Sequence, residues 1–216
     1  MTIEHHPSDA TLAEYAAGTL DAGSRLVVGT HTAKCPQCRR AVQQFESVGG
    51  ALLAELPPTP MQPDALAKTL SRLDEAPAED ATAAAAHAAH DDMPWLPDGL
   101  RDREFGPWRW IGIGVEQRSV KVAGADSARV FLLRAKPGVK LPVHVHTGIE
   151  RTQVLAGAFI HDGGRFGAGD FDDAEGDVEH NPRVDEGETC ICLVAMTGGI
   201  RMTGPIGRLI QPFLRL

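Results

Sequence analysis

The sequence predicts two units of different class, an N-terminal set of four helices and a C-terminal antiparallel β-sandwich or barrel. Three observations predict this. Over residues 8–74 apolar side chains recur three and four apart, the period of a helix face. From about Pro97 onwards short β-branched runs are broken by Gly and Pro, the texture of many short strands. Between them, residues 75–92 are Ala and acids with no large apolar side chain. Such a stretch cannot build a core and reads as a linker with some helical tendency. The expected limits are 1–75 for the helical unit, 76–96 for the linker and 97–216 for the β unit.

Each helix has its own signals. Ser8 is an N-cap for a first helix with Leu12, Tyr15, Ala16 and Leu20 on one face, ended by Gly18 and Asp21-Ala22-Gly23. A second helix over 24–34 carries Leu26, Val27 and Thr30. Pro36 drives Cys35 out of helical geometry and opens the first turn of a third helix, over 36–56. Its inward residues are expected to be Val42, Phe45, Val48 and Leu52, and Pro57-Pro58-Thr59-Pro60 stops it. A fourth helix, over 64–74, aligns Leu66, Leu70 and Leu73. The expected strands are 108–114, 115–122, 128–135, 153–162, 189–197 and 206–215.

Net charge is −8 and no basic run is longer than Arg39-Arg40. That argues against direct nucleic-acid binding, which calls for a basic face. The N-terminus lacks a basic segment followed by an apolar one, and no apolar run reaches membrane-spanning length. A cytoplasmic protein is expected, with its four cysteines serving metal or redox roles before disulfides.

Two ligand sets of opposite chemistry stand out. The first is His31-x3-Cys35-x2-Cys38, thiolate-rich and placed where one helix ends and the next begins. A helix N-terminus favours the thiolate that binds metal, and such a set suits a closed structural Zn²⁺ site. Tetrahedral closure needs a fourth ligand, for which His5 and His6 are the upstream candidates. The second set is His144-x-His146-x3-Glu150 with His180 downstream. Residues two apart on a strand share a face, so both imidazoles can reach one ion. Three His and one carboxylate suit Zn²⁺ or a redox-active divalent metal. Cys190 and Cys192 also share a strand face, at a spacing poorly suited to a disulfide. They are read either as small core residues or as a redox or metal-proximal pair. Trp95, Trp108 and Trp110 are read as packing or domain-docking residues and His161 as facing solvent.

The motif H-x3-C-x2-C in a short helical unit resembles the zinc-binding anti-sigma domain. That family wraps a group IV (extracytoplasmic function, ECF) sigma factor in four helices. The opening His5-His6 pair and the Tyr15-Ala-Ala-Gly-Thr-Leu20 run resemble the ChrR type within it, the anti-sigma factors of the singlet-oxygen response. The resemblance implies His6 as the fourth ligand. Gly138-x5-His144-x-His146-x3-Glu150-x6-Gly157 resembles the first cupin motif at every spacing. The second cupin motif is met by Gly169 and His180, but Glu175, Asp177 and Val184 stand where Pro, Gly and Asn are usual. A zinc anti-sigma domain followed by a cupin-like β-barrel is the ChrR arrangement. It implies a regulator that binds an ECF sigma factor and releases it under singlet oxygen or related oxidants. It also implies zinc in the first unit, and zinc or another divalent metal in the second. A homodimer through the cupin unit is a further expectation. The competing class is a metallo-cupin oxidoreductase of the dioxygenase kind, carrying a zinc interaction module.

Overall fold

The computed structural model describes residues 2–73, 93–125, 127–162, 164–174, 176, 179 and 181–203. Four helices open the chain: α1 (Asp9–Ala17), α2 (Ala22–Lys34), α3 (Pro36–Ala54) and α4 (Ala65–Leu73). A single turn, α5 (Asp98–Arg101), precedes the strands. Most of the linker expected at 76–96 lies outside the described residues. Its last residues do not behave as linker, because Met93 and Leu96 are buried in the core.

The caps follow the sequence signals. Ser8 is extended, and its Oγ accepts the Thr11 amide at 3.1 Å. Asp21 caps α2 in the same way, accepting the Ser24 amide at 2.9 Å. Cys35, at φ −94° and ψ 108°, is both the C-cap of α2 and the N-cap of α3, as the following Pro36 demands. A Ser8→Ala variant is expected to lose about 1 kcal/mol of unfolding free energy. A lowered denaturation midpoint with an unchanged slope would report it.

Helices α1, α2 and α3 pack on one another, but α4 buries no residue. The expected inward stripe of α3 also gives out halfway. Val42 is buried, whereas Val48 and Leu52 are each 61 % exposed. The helical period is present, but α3 outruns the surface that would cover it. Four helices therefore form, and three of them pack as a layer.

The β unit holds β1 (Arg109–Gly112), β2 (Val115–Ser119), β3 (Arg129–Ala135), β4 (His144–His146), β5 (Glu150–Ala156) and β6 (Ala158–His161). It continues with β7 (Gly164–Gly167), β8 (Phe171–Ala174), β9 (Arg183–Val184), β10 (Cys190–Met196) and β11 (Ile200–Met202). The expected closed barrel is not found among the described residues. Pairing is antiparallel throughout. It yields a six-stranded sheet β1-β2-β3-β10-β5-β8, a two-stranded sheet β11-β4 and a three-stranded sheet β7-β6-β9.

The strand expected at 153–162 is two strands in two sheets, parted at Gly157. That residue has φ +65°, and a Cβ there would stand 2.5 Å from the Thr189 carbonyl oxygen. A side chain is excluded twice over, and the chain turns from one sheet to the other. The strand expected at 206–215 lies outside the described residues.

The core is layered. One face of the six-stranded sheet meets the helices, and the other faces the three-stranded sheet. Strand β10 shows this by alternation. Ile191, Leu193 and Ala195 join the cluster containing Leu12, Val27 and Val28 of the helices. Cys190, Cys192, Val194 and Met196 join the cluster containing Phe159, Phe166 and Val184. A strand buried on both faces reads as one unbroken apolar run, Cys-Ile-Cys-Leu-Val-Ala-Met.

Candidate metal centres

The first centre assembles from three places. His31 lies in the last turn of α2, Cys35 at the α2–α3 junction and Cys38 in the first turn of α3. The fourth residue, His6, arrives on the N-terminal arm. One ligand atom from each of the four lies within 4.8 Å of every other. Cys35 Sγ and Cys38 Sγ are each 3.4 Å from His6 Nδ1, and His31 Nε2 is 3.3 Å from Cys38 Sγ. Bonds of about 2.3 Å to sulfur and 2.0–2.1 Å to nitrogen give a tetrahedron whose N–S edges are about 3.5 Å. The donor set and its edges therefore fit a tetrahedral Zn²⁺. His31, Cys35 and Cys38 are buried. Burial first, then the neighbouring Cys35, pushes the Cys38 thiol up to about 12.

Both candidates for the fourth place are now located. The His5 ring stacks on Phe166 with centroids 4.0 Å apart, outside the cluster. The arm is held to the β unit by Asp170, whose Oδ1 accepts the Glu4 amide at 2.7 Å and the His5 amide at 3.0 Å. The Phe171 amide in turn donates to the His5 carbonyl at 3.1 Å. These bonds set the register that sends His6 to the cysteines.

The unligated nitrogen of His31 also faces the β unit. His31 Nδ1 is 2.9 Å from Gln153 Oε1 and 3.1 Å from the Gly169 carbonyl oxygen. Both neighbours accept, so Nδ1 carries the proton and Nε2 offers its lone pair to the cluster. Gly169 has φ +98°, and a Cβ there would meet Ile3 at 2.9 Å. The glycine thus lets the arm lie close while its carbonyl reaches His31. Burial, opposed by the Gln153 bond, lowers the His31 pKa.

The second set lies on the other side of the six-stranded sheet. His144 and His146 are the ends of β4, with ring centroids 4.9 Å apart. His144 Nδ1 donates to the Pro142 carbonyl at 2.7 Å, leaving Nε2 as acceptor. His146 Nδ1 is 3.3 Å from Glu150 Oε2, and Glu150 Oε1 accepts the Thr152 hydroxyl at 3.1 Å. Burial raises the Glu150 carboxyl to about 7 and lowers both imidazoles. His180, the fourth expected ligand, lies outside the described residues. Among those described, the set is not gathered as tightly as the first centre.

His144, Glu150 and Thr152 line a mainly apolar cavity of about 560 Å³, together with Asp172, Cys190 and Cys192. The two cysteines are free and buried, with sulfurs 3.7 Å apart. Hydrogen bonding to Cys190, then burial, raises the Cys192 thiol. His161 does not face solvent as expected. It pairs with Asp172 at 3.2 Å, and both side chains are mostly buried. Trp108 packs as expected, with the Arg134 guanidinium 4.2 Å above its ring, whereas Trp110 is 70 % exposed and does not.

Sequence reasoning missed Gln153, Asp170 and Asp172. Gln153 and Asp170 act across more than a hundred residues of chain, which no local pattern reports. Asp172 was missed because β8, the strand that sets it opposite Thr152, is not among the strands the sequence predicts.

Comparison with known proteins gives a consistent picture. The family model of the ChrR cupin-like domain matches residues 85–198. The chain is 38 % identical over 221 residues to the anti-sigma-E factor ChrR of Cereibacter sphaeroides, with all of both chains covered. It also superposes, with a TM-score of 0.74 and 37 % identity, on a chain of the crystal structure of Rhodobacter sphaeroides SigE in complex with the anti-sigma ChrR. That match covers 90 % of this chain and 99 % of the other.

Proposed function

Because the chain belongs to the ChrR cupin-like family, we propose that it is an anti-sigma factor that binds and inhibits a group IV (ECF) sigma factor. On this reading it is a regulator and not an enzyme. The observation that carries the reading is an uncovered apolar face on α3, α4 and the segment between them. Val48, Leu52, Leu53, Leu56, Met61, Leu66, Leu70 and Leu73 are each more than half exposed. Large apolar side chains left exposed in such number suit a protein-binding surface. It lies on the unit that resembles anti-sigma domains, in a chain similar over its whole length to an anti-sigma factor.

His6, His31, Cys35 and Cys38 would hold a structural Zn²⁺, which ties the N-terminal arm and α2 to the start of α3. Metal binding and folding are one free energy in such a unit. The ion thereby fixes the direction in which α3 carries its apolar face. His144, His146, Glu150 and His180 would hold a second divalent metal, zinc or another, beside the cavity. An ion held there would supply a site for an oxidant or its product to act on. Cys190 and Cys192 lie on the same cavity wall and are the redox-capable neighbours. Singlet oxygen or related oxidants would shift the protein to a state that releases its partner, which requires a state with lower affinity for the sigma factor. On this reading the protein would act in the cytoplasm, where a sigma factor works. No helix among the described residues is long and apolar enough to cross a membrane.

Co-purification from unstressed native cells tests the reading. One ECF sigma factor is expected to come down with the full chain, with zinc in the complex, and to be lost after oxidant exposure. Recovery of no sigma factor would sink it.

A further inference from the structure

Strand β5 serves two sites with its two faces. Glu150 and Thr152 point into the cavity, and Val154 joins the core beneath it. Arg151, Gln153 and Leu155 point the other way, towards the helices. Arg151 Nη1 donates to Ser24 Oγ at 2.8 Å, and Leu155 packs in the shared core. Gln153 sits between them, 1 % exposed, with its Oε1 2.9 Å from His31 Nδ1.

The orientation of this amide is settled by its other end. Gln153 Nε2 donates to the Val154 carbonyl at 3.0 Å, so the oxygen is the end that meets His31. A buried acceptor on the far nitrogen of a metal-binding imidazole sets the tautomer, aims the ring and raises its basicity. The Gly169 carbonyl, from the same unit, adds a second acceptor. Asp170 meanwhile pins the arm that brings His6. Two of the four residues in the cluster are thus oriented by contacts from the β unit, His31 through its ring and His6 through its arm.

We propose that Gln153 is a positioning residue for His31, so that the cupin-like sheet sets the metal affinity of the helical cluster. The inference rests on the reading of His6, His31, Cys35 and Cys38 as a metal site. It does not depend on which partner the helices bind.

Zinc affinity of the full chain, measured by competition with a chromophoric chelator, tests it. Gln153→Met fills the same volume without an acceptor and is expected to weaken zinc binding about 10- to 100-fold. Its Co²⁺-loaded form is expected to show a changed visible spectrum as the His31 ring turns. Leu155→Ala loosens the same interface away from His31. It should lower stability while leaving zinc affinity near that of the unaltered chain. Gln153→Met binding zinc as the unaltered chain does, or Leu155→Ala weakening it as much as Gln153→Met, overturns the inference.

A measurement on the unaltered, zinc-loaded protein covers the case in which Gln153→Met fails to fold. The His31 Nδ1 proton should give a slowly exchanging NMR resonance. A His31 protonated on Nε2 instead overturns the inference. If the unaltered chain takes up no zinc at all, the metal reading falls too, which separates that failure from this one.

Discussion

Cys35→Ser and Cys38→Ser variants are expected to lose the metal of the helical unit and, with it, the sigma factor. A Ser hydroxyl is a poor Zn²⁺ ligand where a thiolate was a strong one, and a three-ligand remnant does not hold the helices. Structural zinc in small domains contributes roughly 10–16 kcal/mol of apparent free energy, which bounds the effect from above. The loss should be local. Val27, Val28 and Val42 still share a core with Leu132 and Leu193 of the sheet, so α2 and the β unit stay folded. The arm carrying His6 and the first turn of α3 should loosen. We expect zinc content to fall by about one ion per chain. Sigma-factor affinity should fall by more than ~100-fold, equivalent to about 2.8 kcal/mol. Metal analysis and a binding titration on the same sample check both. A zinc-free variant that still binds with unaltered affinity would show that the ion does not shape the partner surface.

Leu66→Asp combined with Leu70→Asp should separate binding from stability in the opposite way. Both leucines are more than half exposed, and α4 buries nothing against the rest of the chain. Exposed substitutions of this kind change folding free energy by about 0.5 kcal/mol or less. If the stripe is the face that meets the partner, each Leu loses an apolar contact and each Asp brings an unpaired charge into the interface. Interface anchors are worth about 2 kcal/mol or more each, so the double variant should bind at least ~100-fold more weakly. Its melting curve should overlay that of the unaltered chain. A large drop in melting temperature with full binding would mean that the leucines belong to a core and not to an interface.

How far the sequence carried the fold depended on whether each signal was local. The helices and their caps were legible because Ser8, Asp21 and Pro36 act within one turn. The three residues His31, Cys35 and Cys38 were legible as a set because a helix junction gathers neighbours in sequence. The two histidines of β4 were legible because a strand puts alternate residues on one face. The barrel was less so. Gly157 sits inside what reads as one long strand, and only its positive φ and the nearby Thr189 carbonyl show that the chain changes sheet there. The outer part of α3 reads as inward and the stripe of α4 reads as open to either use, because an apolar stripe has the same period whether a core or a partner covers it. Gln153 and Asp170 were invisible because their work is done across the sheet–helix contact.

The two-faced burial of β10 means that neither half of this chain is finished without the other. The helices are the missing layer of the sheet, and the sheet is the floor of the helices. An event that lifted one from the other would not yield two independent modules joined by a tether. It would bare the row of Ile191, Leu193 and Ala195 on one side and Val27 and Val28 on the other. Bared rows of this kind seek new cover, by sticking to other chains or by attracting proteases. Separation therefore carries the cost of uncovering a shared core, whereas a change confined to the arm, the cluster and the outer helices leaves that core covered.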